Sequence, residues 1–151
     1  MLRTLITTAI LLIITSCSMT ENGLVFGTPD YEKRDIPSST EDLEILTKAS
    51  SYLINEQIWH KEIIKACSDT KKLNLYCALE AASIDVLGKY IHRKAALQEV
   101  RFAIDDNFGD RWSKHRLIDF NNHPETTLKD IKQVIKIAIH AVRRKLESRQ
   151  K

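Results

Sequence analysis

Thr127-Leu128-Lys129-Asp130-Ile131-Lys132-Gln133-Val134-Ile135-Lys136-Ile137-Ala138-Ile139-His140-Ala141-Val142 decides the fold. Leu128, Ile131, Ile135, Ala138 and Val142 recur at three- and four-residue intervals, which lines them along one face of an α-helix. Val134, Ile139 and Leu146 widen that stripe, while Lys129, Lys132, Lys136, His140 and Arg143 fall on the opposite face. Pro124-Glu-Thr-Thr127 announces the start of the helix, with Asp130 three residues after Thr127 as a capping-box acid.

Toward the N-terminus the same period repeats. Ser38-Ser39-Thr40 supply N-cap residues, and Glu41 and Asp42 suit the positive end of a helix. Leu43, Leu46, Ala49, Ser50 and Leu53 then predict a helix over about 41–56. A second helical stretch is expected through Ile58, Trp59, Ile63, Ile64 and Cys67, followed by a polar loop, Ser68-Asp-Thr-Lys-Lys72. A third runs from about Leu75 to Tyr90 on Leu75, Ala78, Leu79, Ala82 and Val86, with Ala81 and Ser83 small enough for another helix to approach closely. Ala95, Leu97, Val100, Ala103 and Ile104 mark a fourth, ending near Phe108 with Gly109 as its C-cap. No alternating strand pattern follows residue 40. The expectation is an all-α bundle of about five helices, orthogonal or mixed in packing, over residues 41–148.

Residues 1–17 read as a bacterial lipoprotein export signal. Met1-Leu-Arg-Thr opens with one cation, Arg3, and the run from Leu5 to Ile14 is apolar except for Thr7 and Thr8. That run is shorter than the roughly 20 residues a membrane span needs and suits a signal core. Ile14-Thr15-Ser16-Cys17 resembles a lipobox, in which small residues precede the cysteine that takes diacylglycerol. The resemblance implies cleavage after residue 16 and an acylated Cys17, and two or three acyl chains anchor far more firmly than one. Ser18, in place of Asp, implies the outer membrane in a Gram-negative host. Residues 17–40 hold Gly23, Gly27, Pro29 and Pro37 among Ser, Thr and charges, which predicts a flexible tether with a mean reach of about 25 Å and a limit near ~75 Å.

Composition narrows the partners. Removing residues 1–16 leaves 22 of the 23 Lys+Arg against all 20 Asp+Glu, a mild basic balance that points weakly to any polyanion. The length fits one domain. With Cys17 acylated, Cys67 and Cys77 remain, and an even pair in an oxidising compartment reads as a disulfide. Two buried thiols or one reactive thiol are the alternatives.

The candidate binding segment is Arg111-Trp-Ser-Lys-His-Arg-Leu-Ile-Asp-Phe-Asn-Asn-His-Pro124, where Trp112, Arg116, Asp119, Asn121, Asn122 and His123 crowd between two helices. Loops on a rigid scaffold often carry function. Each residue also has a structural reading: Trp112 and Phe120 as core anchors, Asp119 as a partner of Arg116 or a cap, the asparagines as turn formers, and His123 as an extended residue before proline.

Trp59, the block Leu75-Tyr-Cys-Ala-Leu-Glu-Ala-Ala82, and Phe120-Asn-Asn122 followed by Thr127-Leu-Lys-Asp-Ile131 resemble a bacterial and phage family known as a domain of unknown function, DUF6197. The resemblance covers roughly residues 41–145 and implies a helical domain without supplying an activity. This chain departs from the pattern with Asn122 where Asp is common, and with its lipoprotein signal.

The reading of function that follows is a membrane-anchored envelope lipoprotein, a non-catalytic accessory or protein-binding module. It meets the membrane through Cys17, an unknown envelope protein through a helix face, and no nucleic acid. The alternative is a cysteine-dependent cell-wall hydrolase or transferase with Cys77 as nucleophile near a helix start, His115 or His123 as base and Asp119 as orienter. No cofactor pattern is present. Among His60, His92, His115, His123 and His140 no pair has the i, i+4 spacing of a helical zinc site, so no metal is expected. Lys129, Lys132, Lys136 and Arg143 can meet anionic lipid head groups, or simply face solvent.

Overall fold

The computed structural model describes residues 34–61, 67, 72–149 and 151. The fold is all-α. Its five α-helices among the described residues are α1 (Thr40–Tyr52), α2 (Leu75–Leu87), α3 (Ala95–Phe108), α4 (Arg116–Asn122) and α5 (Leu128–Ser148). No helix among them is long and apolar enough to cross a membrane.

α5 is the spine. Leu128, Ile131, Val134, Ile135, Ala138 and Val142 are all buried, and the helix packs on α3 and α1. Each such side chain contributes roughly 1.5–3 kcal/mol by leaving water. Thr127 and Asp130 form the capping box: Asp130 Oδ2 accepts from the Thr127 N–H at 3.0 Å and hydroxyl at 2.9 Å. α1 packs on α2 and α5 through Ile45, Leu46, Ala49 and Leu53. Leu75, Ala78, Leu79 and Ala82 of α2, Leu97, Val100 and Ile104 of α3, and Leu117 and Phe120 of α4 complete one core.

Charged side chains join the helices at their ends. Ser39 donates to Asp42 Oδ2 from its backbone N–H at 2.7 Å, while buried Asp42 Oδ1 accepts the Ala96 N–H at 2.9 Å. One acid thus caps its own helix and the first turn of α3, where the dipole favours negative charge. Asn74 caps α2 by accepting the Cys77 N–H at 2.8 Å. Gly88 ends α2 with φ +70°, the left-handed conformation for which glycine is suited.

The structure corrects two expectations. Ile58 and Trp59 are not helical. α1 stops at Tyr52, Asn55 Oδ1 accepts from the Gln57 and Ile58 N–H groups to turn the chain, and Trp59 forms an isolated parallel bridge with Leu73. Residues 62–66 of that predicted helix, and 68–71 of the predicted loop, lie outside the described residues. Gly109 is the C-cap of α3, as expected, in a right-handed conformation, and the chain continues as a 3₁₀ turn, Gly109–Arg111. The segment 111–124, read as a loop, contains α4, so the five helices are not the five that periodicity picks out. Cys17 and the expected export signal, residues 1–17, lie outside the described residues.

Cys67 and Cys77 are joined by a disulfide, with their Cα atoms 5.2 Å apart. It ties the chain before α2 to that helix's first turn.

Candidate functional site

Asn121, near the end of α4, is 1 % exposed. Its Oδ1 accepts from Trp59 Nε1 at 2.8 Å and from the Leu75 N–H at 3.0 Å. Its Nδ2 donates to the His60 carbonyl and to Asn122 Oδ1, each at 3.0 Å. All four of its side-chain hydrogen-bonding positions are used within the protein, which makes Asn121 a buried junction between the Trp59 strap, α2 and α4. Asn122 Nδ2 is buried without a hydrogen-bond partner. The residues that carry the family resemblance, Trp59, Leu75 and Asn121, are therefore one hydrogen-bonded node.

Asp119 has a similar inward role. Its Oδ2 accepts from the backbone N–H groups of Ser113, Lys114 and His115 at 3.0, 2.7 and 2.9 Å, and from the Ser113 hydroxyl at 3.3 Å. Burial pushes its carboxyl up, but those donors outweigh it and hold the group down at about 2. The Arg116 guanidinium stacks over the Trp112 ring at 4.7 Å, and its Nε donates to Asp105 at 2.9 Å. His123 accepts the Glu125 N–H on Nδ1, while Lys61 donates to the His123 and Pro124 carbonyls at 2.9 and 2.8 Å. The predicted binding set thus divides into three structural jobs rather than converging on one open site. Cys77 is 1 % exposed and its sulfur is bonded to Cys67, so this state offers no thiolate.

A convergent cluster does form around His115. Tyr76 comes from the first turn of α2, Tyr90 and His92 from the connection to α3, Arg101 from α3, and His115 from the N-cap of α4. Ring centroids lie 5.8 Å apart for Tyr76–Tyr90, 5.7 Å for Tyr76–His115, 6.0 Å for Tyr90–His92 and 6.4 Å for His92–His115, all edge to face. Arg101, 1 % exposed, is the floor: its Nη1 donates to the His92 carbonyl at 3.1 Å, and its Nη2 lies 3.2 Å from His92 Nε2. A guanidinium only donates, so Nε2 accepts, which assigns the His92 proton to Nδ1. Nδ1–H then donates to the Tyr90 hydroxyl at 2.9 Å.

Electrostatics keep the patch neutral at its rim. Burial and then the Arg101 charge push the His92 imidazole down to about 4, although its outer edge is exposed. Burial and Arg101 also lower His115. Burial raises the Tyr90 phenol well above its ordinary value. At neutral pH the patch offers two uncharged imidazoles and two phenols, groups that bind through ring faces and single hydrogen bonds. Sequence reasoning found His115 and missed Tyr76, Tyr90, His92 and Arg101. The available signal was Arg101 flanked by Val100 and by Phe102-Ala103-Ile104 in a helix, since an arginine buried there needs polar company.

Among the described residues no group of three or more His, Cys, Asp or Glu is placed to hold a metal. A groove of about 140 Å³ between α3 and α5 is lined by Arg34, Glu99, Phe102, Asp106, Ile137 and Arg144 among others. It is smaller than the pockets that enclose metabolites.

Fold and site together define a small all-α domain held by a disulfide and by an asparagine-centred polar node. The chain belongs to the family of unknown function DUF6197, which matches residues 37–141 and so spans α1 to α4 and two thirds of α5. No curated protein and no solved structure matches it.

Proposed function

We propose that the chain is an envelope lipoprotein, anchored through acylated Cys17, whose helical domain is a non-catalytic module that binds an envelope protein. The Cys67–Cys77 bond carries this reading because it bears on both halves. Disulfides persist in oxidising compartments outside the cytoplasm, in keeping with the export signal. The same bond occupies the sulfur that a Cys77 hydrolase needs as nucleophile. The Tyr76–Tyr90–His92–His115 patch is the face for the partner: rigid rings with polar edges are over-represented where protein interfaces concentrate their binding energy.

Site-specific photo-cross-linking in cells tests this. A cross-linker at position 92 is expected to give a discrete adduct with one envelope protein, and one at position 44, an exposed site on α1, to give none. No adduct at 92, or equal adducts at both positions, overturns the assignment of the face. Rapid alkylation of Cys77 in unreduced protein would favour the cysteine enzyme instead.

A further inference from the structure

We propose that the exposed face of α5, together with Ile54, docks flat on an anionic phospholipid surface. The inference deepens the anchored reading above and rests on it for its setting. The exposed positions of α5 are Lys129, Lys132, Gln133, Lys136, His140, Arg143, Arg144, Glu147 and Ser148: five permanent cations against one acid. Lys129, Lys136 and Arg143 follow at seven-residue steps, about 10.5 Å apart along one side of the helix. The chain's net charge is only +3, so this strip is a local excess balanced elsewhere.

Several cations elsewhere in the domain are neutralised. Arg34, Arg111, Arg116 and Lys145 are paired with Asp106, Asp130, Asp105 and Glu99. Lys129, Lys136 and Arg143 have no hydrogen-bonded or ionic partner among the described residues. Lys132 donates to the Ile54 carbonyl at 2.7 Å, which fixes that residue beside the strip. Ile54 is 60 % exposed, far more than any core residue of its kind. A cationic strip flanked by a protruding aliphatic side chain fits an anionic bilayer, which offers both charge and an acyl boundary. A nucleic acid offers only the charge.

The path of the chain agrees. Lys145 donates to the carbonyls of Arg34 and Ile36, and Arg149 to that of Ser38 at 2.7 Å. The chain therefore enters the domain at the C-terminal end of α5. Cys17 precedes Arg34 by 17 residues, a span of at most about 60 Å. A lipid at Cys17 holds the strip at high effective concentration over the membrane, so weak single contacts suffice.

The test uses the chain from Ser18 to Lys151 without lipid, sedimented with vesicles of phosphatidylcholine alone or mixed equally with phosphatidylglycerol. Binding is expected only to the mixed vesicles, at low salt, with release in half-molar salt. Lys129→Gln/Lys136→Gln/Arg143→Gln, substitutions at exposed sites, should weaken it about 100-fold. Lys89→Gln/Lys114→Gln, equally exposed but off the strip, should bind as wild type. Equal sedimentation with both vesicles, a triple variant that binds unchanged, or capture of duplex DNA without vesicle binding overturns the proposal. Because the probe protein carries no lipid, its result is independent of whether Cys17 is acylated in cells, and the two readings fail separately.

Discussion

Asn121 takes two donors and gives two hydrogen bonds while buried. Asn121→Ala strands Trp59 Nε1 and the Leu75 N–H away from water, each at about 1–3 kcal/mol. Urea unfolding should report a loss of about 2–4 kcal/mol, and a loss under 1 would show that the node is not a staple. His92 and Asp119 lead the acid response, with His115 and Asp130 adding to it. His92 is lowered to about 4 in the fold against about 6.5 unfolded, so below 6.5 the unfolded chain takes up a proton the fold refuses. Stability therefore declines between pH 6.5 and 4, modestly because the ring's outer edge is exposed. Asp119, lowered to about 2, adds stability that is full above about 4 and is lost as pH falls toward 2. A melting-temperature profile should fall in two stages, the upper made smaller by His92→Gln, with His115 supplying the remainder, and the lower made smaller by Asp119→Asn, with Asp130 supplying part of the rest. A flat profile above pH 4 in the wild type would contradict the His92 assignment.

Among the elements, long periodic helices were legible and short segments were not. The α5 stripe from Leu128 to Val142 is buried as its spacing predicts, because six apolar positions over several turns admit no other period. The stretch at Ile58 and Trp59 misled because its few apolar residues suit a helix or an extended chain equally. Tertiary bonds from Leu73 and Asn121 chose the extended form. α4 was hidden because seven residues carry only Leu117 and Phe120 as core signals, and its N-cap is His115, an unusual capping residue. The disulfide was legible from the even number of remaining cysteines and the oxidising compartment expected of an exported chain, and it closes a short loop onto α2. Reducing it, or replacing both cysteines with serine, should lower stability by about 3 kcal/mol in the chain-entropy account. Unreduced protein should show no reactive thiol at Cys67 or Cys77. A rapid reaction there would mean an open bond and revive the Cys77 nucleophile.

At the scale of the whole molecule, the domain has two unlike faces. One gathers Tyr76, Tyr90, His92 and His115 over the Arg101 charge, and the other is the cationic side of α5. The second was legible as Lys129, Lys132, Lys136 and Arg143 on one helix side. The first was not, because its members come from four segments and no local pattern links them. Their proximity depends on how α2, α3 and α4 pack. The account places the first face toward a protein partner and the second toward the membrane, and both placements depend on the anchor at Cys17. The direct measurement is the intact mass of the protein's N-terminal fragment, extracted from membranes of expressing cells. The account predicts that residues 1–16 are absent and that Cys17 is the first residue, carrying diacylglycerol. A fragment that still begins at Met1, or an unmodified Cys17, would contradict it.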